Sequence, residues 1–526
     1  MGIHAAKRTG RIARMSAEDA STTPPSSISG AEARRAARNA GALAVASVLS
    51  KALLFGWQLI LVPLLGPFDV GIFGTVAALF TIAAVIPNFG ISAITIRDVA
   101  RWPERAGGYL TAMLYLQMPL ALLAYVGINL AAGALDYSET IRAFVALGGL
   151  SLLIDSLGNM CHDILLARER MIATSAVEVG HIAVRITLAL LAVWAGFGLL
   201  GVYTATIISG IGRSALLWAL VLRDDVRPKW PLERKSLAWP LLFNSVPLAV
   251  TGFLSLAAQQ VDKLMTTRIL GEADTGHLTV AFFIIFGVVN LLNSTILTAT
   301  YPMMSRFHGD GRNPMFGFMV EKLTLFTLII NLPISLILSV FAAEITVPLF
   351  GIDFAPTADV LRILIWYALV TMAVATLSRA LVVQNRQRVI LVIRALGLAL
   401  NIVLNLALLP RIGVRGAAIA SVVSEILVVL ALGSVSRAEG LRWSNLLPRL
   451  VRLGGLGGLM ALALGALGSV NIVLAVAGGL TLYVVGVLLG RVLADDDWDL
   501  LYRLVAALPG GSQVRKYWRR NVELNW

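Results

Sequence analysis

A single cysteine, Cys161, occurs among 526 residues, which excludes an intramolecular disulfide framework and leaves no thiol cluster for zinc or iron–sulfur binding. Neither a metal site nor a cofactor is expected. Charge is scarce as well: only 14% of residues are charged, against about a quarter in a soluble domain, and this excludes a water-soluble enzyme. The sequence contains no GxxxxGK[ST] run, so ATP has no visible site. Long polar connections are also missing. A membrane enzyme such as a glycan polymerase or ligase needs an external loop large enough to hold acid–base groups over its substrate, and the short connections count against that class.

What the chain does have is apolar length. Hydrophobic residues make up 58% of it and the mean hydropathy is +0.82. Reading apolar runs of roughly 20 residues as spans gives about fourteen, the first near Gly41 and the last near Asn471. The fold class is therefore an all-α polytopic membrane protein. The net charge of +13 does not mark a nucleic-acid surface, because no soluble basic domain accompanies it. Lys and Arg instead concentrate in every second connection, as in Arg168 and Arg170 or Arg223, Arg227, Lys229, Arg234 and Lys235. The turns GPFDVG, ALDYSE and GEADTG carry almost none. By this asymmetry both termini are cytoplasmic.

Residues 1–40 include TTPPSSISG and are expected to form a disordered cytoplasmic tail, without the early apolar core of a signal peptide. Residues 495–526 form a cytoplasmic amphipathic and basic tail: Trp498, Leu501, Leu504, Val505 and Leu508 recur at helical spacing ahead of VRKYWRRNVELNW, which suits a helix lying among lipid headgroups.

Two internal correspondences point to duplication. LGPFDVG (Leu65 to Gly71) and LGEADTG (Leu270 to Gly276) share the frame Leu-Gly-x-x-Asp-x-Gly. GLLGVYTATIIS (Gly198 to Ser209) and GVRGAAIASVVS (Gly413 to Ser424) share Gly-x-x-Gly-x-x-x-Ala-x-x-x-Ser. Arg101 and Arg306 also correspond. Small residues at four-residue spacing serve helix packing by themselves, but recurrence within the same flanking topology does not follow from packing. The implied organisation is a six-helix lobe over 41–222, a cytoplasmic linker over 223–236, a second lobe over 237–436 and two added helices over 449–494. Six is even, so the lobes have the same orientation, the arrangement of parallel-repeat transporters with a cavity between bundles.

Three stretches, LGPFDVGIFGTVAALFTIAAVIPNFGISAITIRDVAR, PLLFNSVPLAVTGFLSLAAQQVDKLMTTRILGEADTGHLTVAFFI and RALGLALNIVLNLALLPRIGVRGAAIASVVSEILVVL, resemble the polysaccharide transporter branch of the multidrug/oligosaccharidyl-lipid/polysaccharide (MOP) exporter superfamily. The resemblance implies the MOP flippase fold and a flippase that carries undecaprenyl-diphosphate-linked oligosaccharide to the outer leaflet of the bacterial inner membrane. Its first helices then face the central cavity. A polysaccharide polymerase or synthase complex is the candidate protein partner. A drug–cation antiporter of the same superfamily is the alternative, which the excess of intramembrane Lys and Arg disfavours.

A charge near the bilayer centre costs about 3 kcal/mol, so each faces a partner or a water-filled cavity. Lys51 and Gln58 lie on the first span, and Gln259, Asp262 and Lys263 on its counterpart, the seventh. Lys51 and Lys263 are expected to contact the diphosphate, with Arg97 at the mouth of span two, while Arg379 and Arg394 on spans ten and eleven offer further positive charge. Lys51 alternatively pairs with Asp155 on span four. Glu178, His181 and Arg185 share one face of span five. They form either a proton relay or an internally neutralised Glu–Arg pair. Asp155, Asp262 and Glu425 complete the candidates for coupling to H+ or Na+, Glu425 also as neutraliser of Arg394 or Arg379. Asn401 and Asn405 are read chiefly as packing residues. Pro240 and Pro247, flanking Asn244 and Ser245, mark a hinge.

Overall fold

The computed structural model describes residues 30–231, 237–287, 313–384, 386–438, 443–490 and 492–493. Every regular element among them is helical. The first element, Gly30–Ala83, is broken at Gly66 (φ 75°, ψ 170°) into α1 (residues 30–65) and α2 (residues 67–83), and the short helices Val85–Asn88 and Ile91–Arg101 follow α2. There follow α3 (Ala106–Ala134), α4 (Glu139–Ala167), α5 (Met171–Trp194), α6 (Gly198–Arg223) and α7 (Trp239–Leu270). Then come α8 (residues 272–287), α9 (Asn313–Val340), α10 (Ala355–Val383), α11 (Gln387–Ile412), α12 (Val414–Ala438), α13 (Trp443–Gly468) and α14 (Ile472–Leu489).

Most of these helices are apolar around their whole circumference, as elements surrounded by lipid and by one another must be. Their hydroxyls bond inward: Thr111 to the Gly107 carbonyl, Thr187 to Ala183 and Thr324 to Val320. Eleven helices among the described residues are long and apolar enough to cross a membrane. Gly41–Asn88 counts as one of these although Gly66 divides it, and neither α7 nor α8 is among them.

Packing repeats along the chain. Helix pairs α3–α4, α4–α6, α5–α6 and α1/α2–α5 are in contact, and six helices later the corresponding pairs α9–α10, α10–α12, α11–α12 and α7–α11 are too. The Gly-x-x-Gly frame opens α6 and α12 alike. A Cβ on Gly201 would lie 2.6 Å from Ala192 of α5, and one on Gly416 would lie 2.7 Å from the Leu408 backbone of α11. Helices α13 and α14 dock on α9, where Tyr483 donates to the Ile329 carbonyl at 2.8 Å and Arg449 lies 3.9 Å from Glu321.

The duplicated turns meet each other. Gly271 (φ 100°, ψ −174°) repeats the conformation of Gly66, a region open to glycine and strained for other residues. A Cβ on Gly71 would lie 1.7 Å from the Glu272 carbonyl oxygen, and one on Gly276 would lie 2.0 Å from the Pro67 carbonyl oxygen. These contacts are reciprocal, since Pro67 and Glu272 hold the same place in the shared frame. Gly74 touches its own counterpart, with the Thr279 hydroxyl 2.1 Å from where a Cβ would stand. Contact between equivalent positions is what a local two-fold axis produces. Beside it, the Thr75 and Thr267 hydroxyls are 2.6 Å apart, Thr267 and Thr275 are 2.9 Å apart, and Tyr137 donates to the Leu264 carbonyl at 2.9 Å.

Several expectations need correction. Residues 30–40 are the opening turns of α1 rather than coil, because EARRAARNA is built of strong helix formers, and Asn39 donates to the Glu169 carbonyl at 3.3 Å. Pro240 lies in the first turn of α7, where a missing N–H costs nothing, so it begins a helix rather than bending one. The chain before residue 30, Arg234, Lys235, Arg306, and residues 494–526 with Trp498, Leu501, Leu504, Val505 and Leu508 lie outside the described residues.

The turn contact can be trapped. With Cys161 replaced by Ser, oxidation of the variant Thr75→Cys/Thr267→Cys is expected to form a disulfide, because hydroxyls in contact put the Cβ atoms within bridging range. Maleimide labelling of both thiols should then fall to background. Undiminished labelling after oxidation would show that the two turns spend little time together.

Candidate functional site

The contact at the turns closes one end of the molecule. Just beneath it, Leu61, Val62, Leu65 and Val70 leave a void of only about 10 Å³. Below that seal the space between the lobes widens into neighbouring chambers.

The middle chamber, about 330 Å³, is lined by Lys51, Gln58, Lys263 and a cluster of phenylalanines that includes Phe73, Phe282 and Phe286. Lys51 comes from α1 and Lys263 from its counterpart α7, so the structure brings together the two lysines singled out in the sequence. Lys263 donates to Gln260 Oε1 at 3.2 Å, and its ammonium lies 5.5 Å from the centre of the Phe282 ring, within cation–π reach. No carboxylate is among the described lining residues. A side pocket of about 150 Å³ shares Gln58 and Phe73 with this chamber and is lined by Arg185.

In the second lobe a chamber of about 180 Å³ is lined by Gln259, Asp262, Arg394 and Glu425. Arg394 Nη1 lies 3.2 Å from Glu425 Oε1, and Thr371 donates to the same oxygen at 3.1 Å. Asp262 is 2% exposed and is surrounded by donors: Asn405 at 2.7 Å, Asn401 at 3.0 Å and Ser421 at 2.6 Å. Three hydrogen bonds offset much of the cost of burying a carboxylate. The asparagines thus join α11 to α7 through a charged group, which makes them more than packing residues.

The largest of these chambers, about 750 Å³, is walled mainly by the first lobe, with Ala249, Gly252 and Leu256 of α7 on one side, and lies toward the end opposite the turns. Asp155, Asp163, Glu178, His181 and Arg213 line it. Arg213 is 8% exposed. It crosses Gly158, where a Cβ would stand 2.7 Å from Nη1, and donates to Glu178 Oε1 at 2.7 Å and Asn159 Oδ1 at 2.9 Å. Glu178 is therefore neutralised by α6, not by Arg185 on its own helix. The shared face of α5 divides: Glu178 and His181 look into this chamber and Arg185 into the side pocket.

Two candidates do not join the chambers. The helix ends at Phe89 (φ 44°) and Gly90 (φ 74°), and Ile91–Arg101 sets off anew with Ile91, Thr95 and Val99 buried. Arg97 lies on its other side, 63% exposed and 2.8 Å from Asp98, a hydrogen bond that raises its pKa further. It is a surface group. Arg379 is half-buried on α10 but lines none of the chambers described. Arg213, in contrast, was missed. The signal was there, an arginine inside the apolar run of the sixth span, governed by the same cost that singled out Lys51.

The Arg213–Glu178 pair is testable by a double-mutant cycle. Arg213→Ala leaves a carboxylate without its partner at a site only partly reached by water, a loss of about 3 kcal/mol. The melting temperature in detergent should fall by several degrees. Glu178→Ala added to Arg213→Ala should recover much of that loss, since neither charge then stands alone. Additive losses would mean that the two side chains are not coupled.

Residues 60–359 match the family model described as polysaccharide biosynthesis protein. The probable low-salt glycan biosynthesis flippase Agl15 of Haloferax volcanii is 21% identical over 380 residues, covering 68% of this chain and 75% of the relative. Among solved structures, the lipid II flippase MurJ in an inward closed conformation superposes with a TM-score of 0.68 at 13% identity, over 84% of this chain and 97% of that one. An inward-facing multidrug resistance MATE family transporter of the MOP superfamily gives a TM-score of 0.61 at 14% identity, over 74% and 94%. At such identities the likeness concerns the fold. The family model spans more than half of the chain, and with the all-helical, pairwise-repeated architecture it identifies this protein as a multi-pass member of the polysaccharide biosynthesis family, with the fold of the MOP superfamily flippases.

Proposed function

We propose that the protein flips undecaprenyl-diphosphate-linked oligosaccharide across the bacterial inner membrane by alternating access. The observation that carries this reading is the middle chamber, where two lysines from equivalent helices converge with Gln58 and, among the described residues, no carboxylate joins the lining. A diphosphate brings about two negative charges and many acceptor oxygens, which ammonium groups in a water-poor cavity bind strongly. The phenylalanines keep the dielectric low around it. The lobes are residues 41–222 and 237–436, both termini are cytoplasmic, and the seal at the turns lies on the outer face. The chambers thus open toward the leaflet in which the substrate is made. A drug–cation antiporter would place acids where these lysines stand.

Reorientation draws on a proton or sodium gradient, with Asp262 as the coupling group. Its carboxylate bridges α7 to α11 and α12, so a cation or proton arriving there alters the contact between the helix at the lobe interface and the rest of its lobe. Asn401 and Ser421 supply further oxygen atoms of the kind a hard cation takes.

In liposomes, Lys51→Ala or Lys263→Ala is expected to slow flipping of undecaprenyl-diphosphate oligosaccharide about ten- to a hundredfold, the worth of one charge-assisted contact at about 1.5–3 kcal/mol. Lys51→Arg should keep most of the rate. Wild-type rates in both alanine variants would remove the diphosphate assignment. Asp262→Asn is expected to abolish the response to an imposed ion gradient while slow equilibration across the bilayer continues. A gradient response that survived the change would place coupling elsewhere.

A further inference from the structure

The middle chamber accounts for the diphosphate and leaves the larger one unexplained. Resting on the flippase reading above, we infer that the first-lobe chamber is the subsite for the leading sugars of the headgroup, and that it accepts uncharged or amino sugars and rejects uronic acids.

Its size is that of a ligand pocket rather than a packing defect. Its polar groups are short of partners. Gln117 is 3% exposed, lines the chamber and makes no hydrogen bond among the described residues. The Nε2 of His181 is buried and likewise without a partner. Asp155 makes no hydrogen bond or ion pair with the described residues, and its carboxylate interacts with Arg213, Arg185 and Glu178 only through the longer-range field. Buried amides and carboxylates are normally satisfied. Groups left open around a shared space are satisfied by what fills it, and vicinal sugar hydroxyls supply donors to Asp155 and a donor–acceptor pair to the Gln117 amide. Near the open end the exposed Asn88 and Asn159 add two more amides.

Charge decides which sugars. Asp155, Asp163 and Glu178 face Arg213, the single arginine of the lining among the described residues, and Arg213 is committed to Glu178. Asp163 has beside it His162, with Nδ1 at 3.7 Å. The lysine chamber shows the opposite sign, with no acid among its described lining residues. A headgroup whose diphosphate is anionic and whose sugars are neutral or cationic fits both chambers in one orientation. A hexuronic acid would put its carboxylate against Asp155 and Asp163.

The test uses the full-length protein in liposomes and two probes, undecaprenyl-diphosphate bearing a neutral disaccharide and the same lipid bearing a disaccharide with a hexuronic acid. The wild type should flip the neutral headgroup at least about tenfold faster, as like charges brought together in a confined site require. Asp155→Asn/Asp163→Asn should bring the two rates to within about twofold by raising the acidic one. Independently of transport, maleimide labelling of Ser92→Cys, at the chamber wall, should be slowed by the neutral disaccharide lipid and not by undecaprenyl diphosphate alone; the native Cys161 is buried.

Equal wild-type rates for the two headgroups, or equal protection by the bare diphosphate, would overturn the subsite. So would an Asp155→Asn variant that loses both headgroups alike together with its gradient response, which would make the chamber an ion pathway. A wild type that flips neither headgroup, yet has its Ser92→Cys label protected by the neutral disaccharide lipid, would sink the flippase reading and leave the sugar subsite standing.

Discussion

The architecture depends on how closely two backbones approach at one point. At Gly71 and Gly276 each turn rests on a carbonyl oxygen of the other, at distances that admit no Cβ. Two protein surfaces normally meet through side chains, which hold backbones well apart and can adjust to one another. Here the adjusting layer is absent, so the relative position of the turns is set by main-chain geometry. Gly66 and Gly271 aim both chains into the contact by taking a conformation other residues resist. Because the contact sits on a local two-fold axis, it pins the lobes at one end without favouring either, and the space between them can widen only toward the other end. What holds the seal besides is modest: hydroxyl pairs, one tyrosine, an exposed ion pair between Arg268 and Asp136 and a few aliphatic side chains. A close contact built from few strong interactions is suited to being broken and remade.

Below the seal, electrostatics sorts the interior. Lysines occupy the middle chamber, a clamped aspartate the second lobe, and a mixture weighted toward acid the first lobe. In bulk water such charges a few ångströms apart would be screened; in a cavity walled by phenylalanine and aliphatic side chains they are not. The chain therefore presents a polar, extended ligand with a sequence of local potentials rather than one uniformly charged lumen. That pattern favours a substrate with chemically distinct parts. A lipid-linked oligosaccharide has three: a tail for the bilayer, a diphosphate and a glycan.

Much of this was legible in the sequence, for identifiable reasons. The duplicated turn was visible because its glycines are required by backbone geometry, which leaves few substitutes. Lys51 and Lys263 stood out because membrane insertion penalises charge so heavily that any lysine inside a span must have a role. Their convergence followed from the equivalence of α1 and α7. Arg97, read at the mouth of span two, lies on the surface because the helix breaks at Phe89 and Gly90, and nothing in local composition shows that Phe89 takes a left-handed conformation. For Glu178 the sequence offered Arg185 as one of two alternatives, beside a proton relay, because one-face spacing reveals neighbours along a helix and is blind to neighbours across one. Arg213 belongs to α6, and only the packing of α5 on α6 brings it there. Gln117 gave no signal at all, since a lone glutamine in an apolar helix acquires meaning only from the space it faces.

The two lobes have also diverged in an instructive way. In each, an ion pair inside the lobe joins the fifth and sixth helices, and the polarity of this interior pair is reversed: the acid is on α5 and the arginine on α6 in the first lobe, the arginine on α11 and the acid on α12 in the second. A bracing pair stabilises equally in either sense, so duplication could exchange its members without loss. The surroundings did not stay equivalent. Around Arg394–Glu425 the lobe closes in, and the nearby Asp262 has its hydrogen bonds filled by protein. Around Glu178–Arg213 the lobe opens: Asp155, Gln117 and His181 line the cavity, and the buried His181 Nε2 has no partner among the described residues. A satisfied carboxylate in a tight site changes state only when a small cation or a proton intervenes, whereas unsatisfied groups around a large space call for a large polar guest. On the function proposed above, coupling and substrate binding divide according to which carboxylate the protein itself holds: Asp262, clamped by Asn401, Asn405 and Ser421, or Asp155, which faces the large chamber.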